Sequence, residues 1–154
     1  MRRLFATAWT IWLFDFVTKE WALKTLSAQP RKILGSFLQL TLVHNSGAAF
    51  SLATGFTIIF SILALAVVIA VIYFSPQITS SGWQLSMGLL FGGVLGNLTD
   101  RIFRDPSFLS GYVIDWIQIP HWPVFNLADS AISIAALMAF VLSVRNIPPI
   151  TRVG

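Results

Sequence analysis

Apolar positions gather into four long windows along the 154 residues, at about residues 4–26, 56–74, 83–100 and 127–144, with shorter polar segments between them. Each window comes close to the roughly 20 residues that an α-helix needs to cross the hydrocarbon of a bilayer. The second window holds no charge, whereas the first carries Asp15, Lys19 and Glu20 in its later half. That first window follows Met1-Arg2-Arg3 as a secretory leader would. A leader's apolar stretch is short and uncharged, so the pattern predicts a retained span. Between the first two windows, the run from Ile33 to Val43 is rich in strand formers and bounded by turn residues, which predicts a small sheet. Residues 104–126 contain Pro106, Gly111, Pro120 and Pro123 with the interfacial aromatics Trp116 and Trp122, and predict a partly ordered loop. The expected fold is an all-α membrane protein forming a single integral membrane domain over residues 1–154. It has four transmembrane helices, a small interfacial β-sheet in the first outer loop and a partly ordered second outer loop.

Composition strengthens this pattern. Hydrophobic residues make up 56% of the chain and charged ones 10%, against about 25% charged in a soluble domain. Mean hydropathy is +0.78. The net charge of +4 is scattered or sits at the chain ends, without the dense basic run that a nucleic-acid backbone selects. Arg2 and Arg3 precede the first window, and Arg145 and Arg152 follow the last, which predicts that both termini are cytoplasmic. Lys24, Arg31, Lys32 and Arg104 then fall outside, against that trend. Gly88, Gly92 and Gly96 recur every fourth residue and predict a face where a neighbouring helix comes close. With no cysteine, disulfides, thiolate metal sites and a cysteine nucleophile are excluded. His44 and His121 lie far apart without an HExxH pattern, which argues against a zinc protease.

In this topology the polar residues of the apolar windows converge on the outer side. Asp15, Lys19, Asn97, Asp100, Arg101, Asn126 and Asp129 all lie at outer ends, and Asp115 lies in the second outer loop. Several have structural readings. Asp15 and Lys19 are spaced to pair along one helix. Asn126 through Asp129 reads as a helix cap with an acid at the third helical position. Asp100 and Arg101 read as an interfacial ion pair, and Asp105 as a solvated loop acid. Asp115, however, is set in the apolar run Val113-Ile114-Asp115-Trp116-Ile117, with no Lys or Arg between it and Asp129. Two carboxylates in one low-dielectric site cannot both ionise easily, so one keeps a proton. Such a pair can take a proton from water and give one to a carbonyl oxygen. A transporter remains open on Asp15 and Lys19, and a glycine-packed scaffold on the third window. Asn-Leu-x-Asp recurs at Asn97 and Asn126 without a wider repeat, and no GxSxG supports a serine nucleophile.

Five stretches, in order, carry a family resemblance. They are Asp15-Phe16-Val17-Thr18-Lys19, Val43-His44-Asn45-Ser46-Gly47-Ala48-Ala49-Phe50-Ser51, Gly92 through Arg101, Val113-Ile114-Asp115 and Phe125-Asn126-Leu127-Ala128-Asp129-Ser130. In these the chain resembles lipoprotein signal peptidase, also called signal peptidase II. The resemblance implies an aspartyl endopeptidase of the bacterial cytoplasmic (inner) membrane, acting toward the outer face. It would cut diacylglyceryl-modified prolipoproteins on the amino side of the lipid-bearing cysteine. It implies Asp115 and Asp129 as the catalytic pair and Asn45, Asn97, Arg101 and Asn126 as substrate-positioning groups. Asp15, Lys19 and Asp100 would support the pocket. It further implies a monomer embedded in membrane lipid, no metal or organic cofactor, and inhibition by globomycin-type compounds. The chain departs from the family by extra residues around Phe103-Arg104-Asp105-Pro106-Ser107-Phe108-Leu109, which bear on how the second outer loop covers the site.

Overall fold

The computed structural model describes residues 1–47 and 57–150. Helix α1 (Arg2–Thr25) leads into strands β1 (Arg31–Leu34) and β2 (Leu38–Asn45), and then α2 (Thr57–Phe74) ends in a single 3-10 turn. Helix α3 (Ser81–Phe103), strand β3 (Val113–Gln118) and helix α4 (Leu127–Val144) follow. Ala48-Ala49-Phe50-Ser51 of the second family stretch, Phe56 at the start of the second window, and Arg152 lie outside the described residues.

The helices bury both an apolar core, with Leu4, Val68, Phe91 and Leu98, and a cluster of charged side chains, and they expose large apolar residues. In α1 the buried residues are Leu4, Ala8, Asp15, Lys19 and Ala22, spaced three, four or seven apart along one seam, while Trp9, Phe14 and Val17 are exposed. Helix α2 exposes Ile58, Ile62, Ile69 and Ile72. Two segments, Thr57–Gln77 and Leu127–Val144, are long and apolar enough to cross a membrane.

Helix α3 runs through the centre, packed on α1, α4 and α2. Its glycines set how near those neighbours come. A Cβ on Gly88 would lie 2.7 Å from the Leu4 carbonyl oxygen, and one on Gly92 would lie 2.6 Å from that of Ala8. Gly93 turns to the other side, where a Cβ would meet the Ala128 carbonyl oxygen of α4 at 2.6 Å. The sequence spacing therefore marks the α1 face, and Gly93 adds a second close approach.

The sheet is antiparallel in the order β1-β2-β3. Gly35, at φ +58°, takes the left-handed turn between β1 and β2. The expectation of a merely partly ordered second loop, with the sheet confined to the first, is corrected at Val113–Gln118. That segment pairs with β2 through Asn45↔Val113, Val43↔Asp115 and Gln39↔Gln118. Val113, Ile114, Trp116 and Ile117 are strand formers, and β2 offers them an edge that satisfies their backbone. The surrounding prolines hide this in a local reading. At the opposite end of the molecule the Pro149 carbonyl accepts from the amides of Thr79 and Ser80, each at 3.1 Å. Trp83 Nε1 donates to the Ile147 carbonyl at 2.7 Å. The tail thus closes the end away from the sheet.

Gly92→Leu is expected to lower unfolding stability in detergent by about 1–3 kcal/mol through overpacking. Gly82→Ala meets only the flexible end of Leu142 and is expected to change it by less than about 0.5 kcal/mol. Equal losses in a thermal unfolding comparison would refute the close-approach account.

Candidate active site

The site is built outward from one buried cation. Lys19 is 1% exposed, and its Nζ lies 2.7 Å from Asp15 Oδ2 and 2.8 Å from Asp100 Oδ2. It also donates to Asn97 Oδ1 at 2.9 Å, so its three donors have three acceptors. Asp15 is paired with Lys19 as the spacing predicts, but its other oxygen accepts from the Ala128 amide at 2.9 Å. A carboxylate from α1 thus satisfies an otherwise unpartnered donor in the first turn of α4. Asp100 accepts from the Ile114 amide of β3 at 3.1 Å and from Arg104 Nε at 2.5 Å. Arg104 continues to Glu20 at 2.8 Å.

The expected Asp100–Arg101 ion pair is therefore corrected. Consecutive helical residues do not face each other. Asp100 turns to Lys19 and Arg104, while Arg101 donates from Nη1 to the Gly111 carbonyl at 3.2 Å.

Asp115 and Asp129 arrive from different elements. Asp115 lies on β3, diagonal to Asn45 on β2, and Asn45 Nδ2 donates to its Oδ2 at 2.8 Å. Asp129 lies in the first turn of α4, where it forms a reciprocal capping box with Asn126. The Asn126 side chain accepts from the Asp129 amide at 2.9 Å, and its Nδ2 donates to Asp115 Oδ1 at 2.7 Å. One amide therefore spans the two acids. Asn97 closes the network by donating to Asp129 Oδ1 at 2.8 Å. The strand-to-cap path is short because Phe125 bonds back to Ile117 and Trp116 of β3 just before Asn126. Burial above all pushes Asp115 up to about 7 from its ordinary 3.8. The charge on Asp129 adds to this, while the amides of Asn45 and Asn126 and the Lys19 charge oppose it.

A cavity of about 270 Å³ opens beside the network. Asn45, Asn97, Arg101 and Asp129 form its polar rim, while Phe60 and Ala64 of α2 and Val94, Leu98 and Ile132 form apolar walls. Asp115 is buried behind Asn45 and does not line it. All nine residues singled out in the sequence thus lie in or against one site. The α3 wall was readable as one helical face, since Val94, Asn97, Leu98 and Arg101 follow one another at steps of three, one and three. Phe60 and Ala64 carry little signal, because α2 is almost wholly apolar and only Thr57 and Ser61 near its start mark an inward side. Among the described residues, no group of three His, Cys, Asp or Glu is arranged to hold a metal ion.

Lys19→Met would leave Asp15 and Asp100 buried without their shared cation. It is expected to cost about 3–5 kcal/mol of stability, measured by unfolding in detergent; a loss below about 1 kcal/mol would mean that Lys19 does not hold the site together.

Residues 7–145 match the family described as Signal peptidase (SPase) II. The chain is similar to the lipoprotein signal peptidase of Mycobacterium leprae (strain Br4923), at 42% identity over 94% of this chain and 72% of that one. It is also similar to that of Mycobacterium avium (strain 104), at 41% identity over 94% of this chain and 80% of that one. A bacterial membrane enzyme solved by the in meso method at 1.9 Å resolution superimposes with a TM-score of 0.82 and 28% identity, over 94% of both chains. With nearly the whole chain matched in sequence and in fold, this protein belongs to the signal peptidase II family of peptidases.

Proposed function

We propose that this chain is an aspartyl endopeptidase of the bacterial cytoplasmic membrane that removes signal peptides from diacylglyceryl-modified prolipoproteins. It cuts on the amino side of the lipid-modified cysteine. The substrate class is supported by the similar proteins, which carry the name lipoprotein signal peptidase. The chain works as a monomer with four spans, both termini cytoplasmic and the sheet and site toward the outer face. Buried charge beneath an apolar exterior supports the membrane setting, since that distribution suits lipid and not water, and the arginines at the chain ends support the side given to the termini.

The observation that carries the chemistry is the pair of carboxylates joined through Asn126, one of them at the rim of an apolar-walled cavity. Asp129 takes a proton from water as the water oxygen attacks the scissile carbonyl carbon. Asp115, which burial keeps largely protonated below about pH 7, gives its proton to the carbonyl oxygen. The C–N bond then breaks as Asp129 passes a proton to the departing nitrogen and a hydroxyl proton returns to Asp115. Asn45 separates Asp115 from the cavity, so it exchanges its bond to Asp115 for one to the substrate as the peptide enters. Asn97 and Asn126 hold the acids in register, and Arg101 offers a guanidinium to a main-chain carbonyl. Asp15, Lys19 and Asp100 support this arrangement from behind. No cofactor takes part.

Asp115→Asn and Asp129→Asn, compared at equal folded amounts, are each expected to cut a diacylglyceryl-modified prolipoprotein about 10²–10⁴-fold more slowly. A globomycin-type inhibitor should block the wild type. Wild-type rates in both variants would reduce the acids to strand and helix-cap groups.

Because the acid must carry its proton, kcat/KM is expected to fall as pH rises through about 7. A profile that stays flat into the alkaline range would remove Asp115 from that role.

A further inference from the structure

Leu109 holds φ +61°, a left-handed conformation that glycine or asparagine adopts more readily than leucine. A residue persists there where its surroundings over-determine it. Here they include a buried serine from another helix. Ser61 of α2 is fully buried, and its Oγ lies 2.7 Å from the Leu109 carbonyl oxygen and 3.1 Å from that of Thr57. Its single hydroxyl proton has the shorter path to Leu109, so the serine links α2 to the second outer loop.

The segment that carries Leu109 is fastened at both ends. At its start Arg104 pairs with Glu20 of α1 at 2.8 Å and with Asp100 of α3. At its end the Gly111 amide donates to the Arg101 carbonyl at 3.1 Å, and Arg101 Nη1 donates to the Gly111 carbonyl at 3.2 Å. A Cβ on Gly111 would collide with the Asp100 carbonyl oxygen, so the loop lies directly on the end of α3. The Leu109 carbonyl is therefore offered to α2 from a loop that is itself fixed to α1 and α3.

Helix α2 uses this support to form a wall. Phe60 and Ala64, which flank Ser61 in the helix, line the cavity that Arg101 and Asp129 rim, facing Val94 and Leu98 of α3. The cavity is thus as wide as the gap between α2 and α3. Thr57, one turn before Ser61, donates from Oγ1 to the Ser46 carbonyl at 2.5 Å. Both buried polar side chains at the start of α2 are therefore bonded to outer loops, Thr57 to the first and Ser61 to the second.

We infer that the Ser61–Leu109 contact is a specificity-determining contact of the proposed reaction: it fixes the α2 wall and so limits the substrate side chain that the cavity admits beside the scissile bond. This deepens the peptidase reading above and rests on it. Neither residue touches the reacting atoms; both act by position, through Phe60 and Ala64. A wall held at one distance rejects a bulky side chain, because overpacking forces side chains and backbone to shift. Without the tether α2 can tilt outward, since the side it would move toward lipid is already apolar.

The test breaks the contact from each side in the full-length protein. Ser61→Ala removes the hydroxyl, while Leu109→Pro holds φ at about −65° and turns the carbonyl away. Leu109→Gly keeps the carbonyl and suits the left-handed backbone. Each protein is assayed in micelles on two diacylglyceryl-modified prolipoprotein peptides that differ only in the residue before the lipid-bearing cysteine, alanine or phenylalanine. Wild type should favour the alanine peptide in kcat/KM. Ser61→Ala and Leu109→Pro should each lower that preference roughly three- to tenfold, the weight of one hydrogen bond, chiefly through a lower KM for the phenylalanine peptide. Leu109→Gly should keep the wild-type preference. Loss of folded enzyme scales both peptides alike and leaves the preference unmoved. A wild type without preference, an unchanged preference in Ser61→Ala or Leu109→Pro, or a Leu109→Gly that behaves as Leu109→Pro does, would overturn the inference while leaving the peptidase reading in place. A wild type that cuts neither peptide would overturn the peptidase reading itself.

Discussion

The structure hangs on the ammonium group of Lys19. A lysine buried among helices is costly unless its charge is paired and its donors are met. Here Asp15, Asp100 and Asn97 meet all three. Each acceptor has a second bond that reaches another element: Asp15 to the first turn of α4, Asp100 to the backbone of β3, and Asn97 to Asp129. One cation therefore fixes α1 to α3 and, through its carboxylates and amide, orients the strand and helix that carry Asp115 and Asp129. The ion pairs stabilise little by themselves once desolvation is counted. Their effect is registry: any slide of α1 along α3 strands a charge.

That arrangement is possible only because the helices come close. Gly96 faces Asp15, and a side chain there would occupy the space of the Asp15 carboxylate and press on Ala128. Gly88 and Gly92 keep the same distance further along, where the contact is purely backbone and aliphatic. The small-residue face and the charge cluster are thus one device. The glycines bring α1 near enough for a lysine on one helix to sit between acceptors on the other, and the lysine makes that separation the favoured one.

Much of this was legible in the sequence where the signal is local. The apolar windows at residues 56–74 and 127–144 correspond to α2 and α4, and Asn126 with Asp129 forms the cap that its spacing suggests. The i, i+4 pairing of Asp15 with Lys19 was also readable. What could not be read depends on partners distant in the chain. Lys19 meets Asn97 across 78 residues, and Asp15 meets Ala128 across 113. Strand β3 escaped a local reading for the same reason, since its edge partner is β2 and its own flanks are proline-rich. The Asp100–Arg101 dipeptide misled because adjacency in sequence is not adjacency on a helix. Phe60 and Ala64 were nearly silent, because in a helix so apolar only Thr57 and Ser61 hint at the side that turns inward.

The capping role of Asp129 and its proposed chemical role are complementary. In the capping box one Asp129 oxygen accepts from the Asn126 amide at 3.3 Å, while the other accepts from Asn97 at 2.8 Å. The carboxylate is thereby held to one rotamer at the cavity rim, in the first turn of α4. Asp115 sits in the contrary environment, buried on a strand and held up toward neutral pH. Asn126 touches both, taking part in the cap with one group and bonding Asp115 with another. Two like residues are thus set in different surroundings by the elements that carry them. In the proposed mechanism a helix start supplies the base and a buried strand the acid, with the asparagine between them bonded to both.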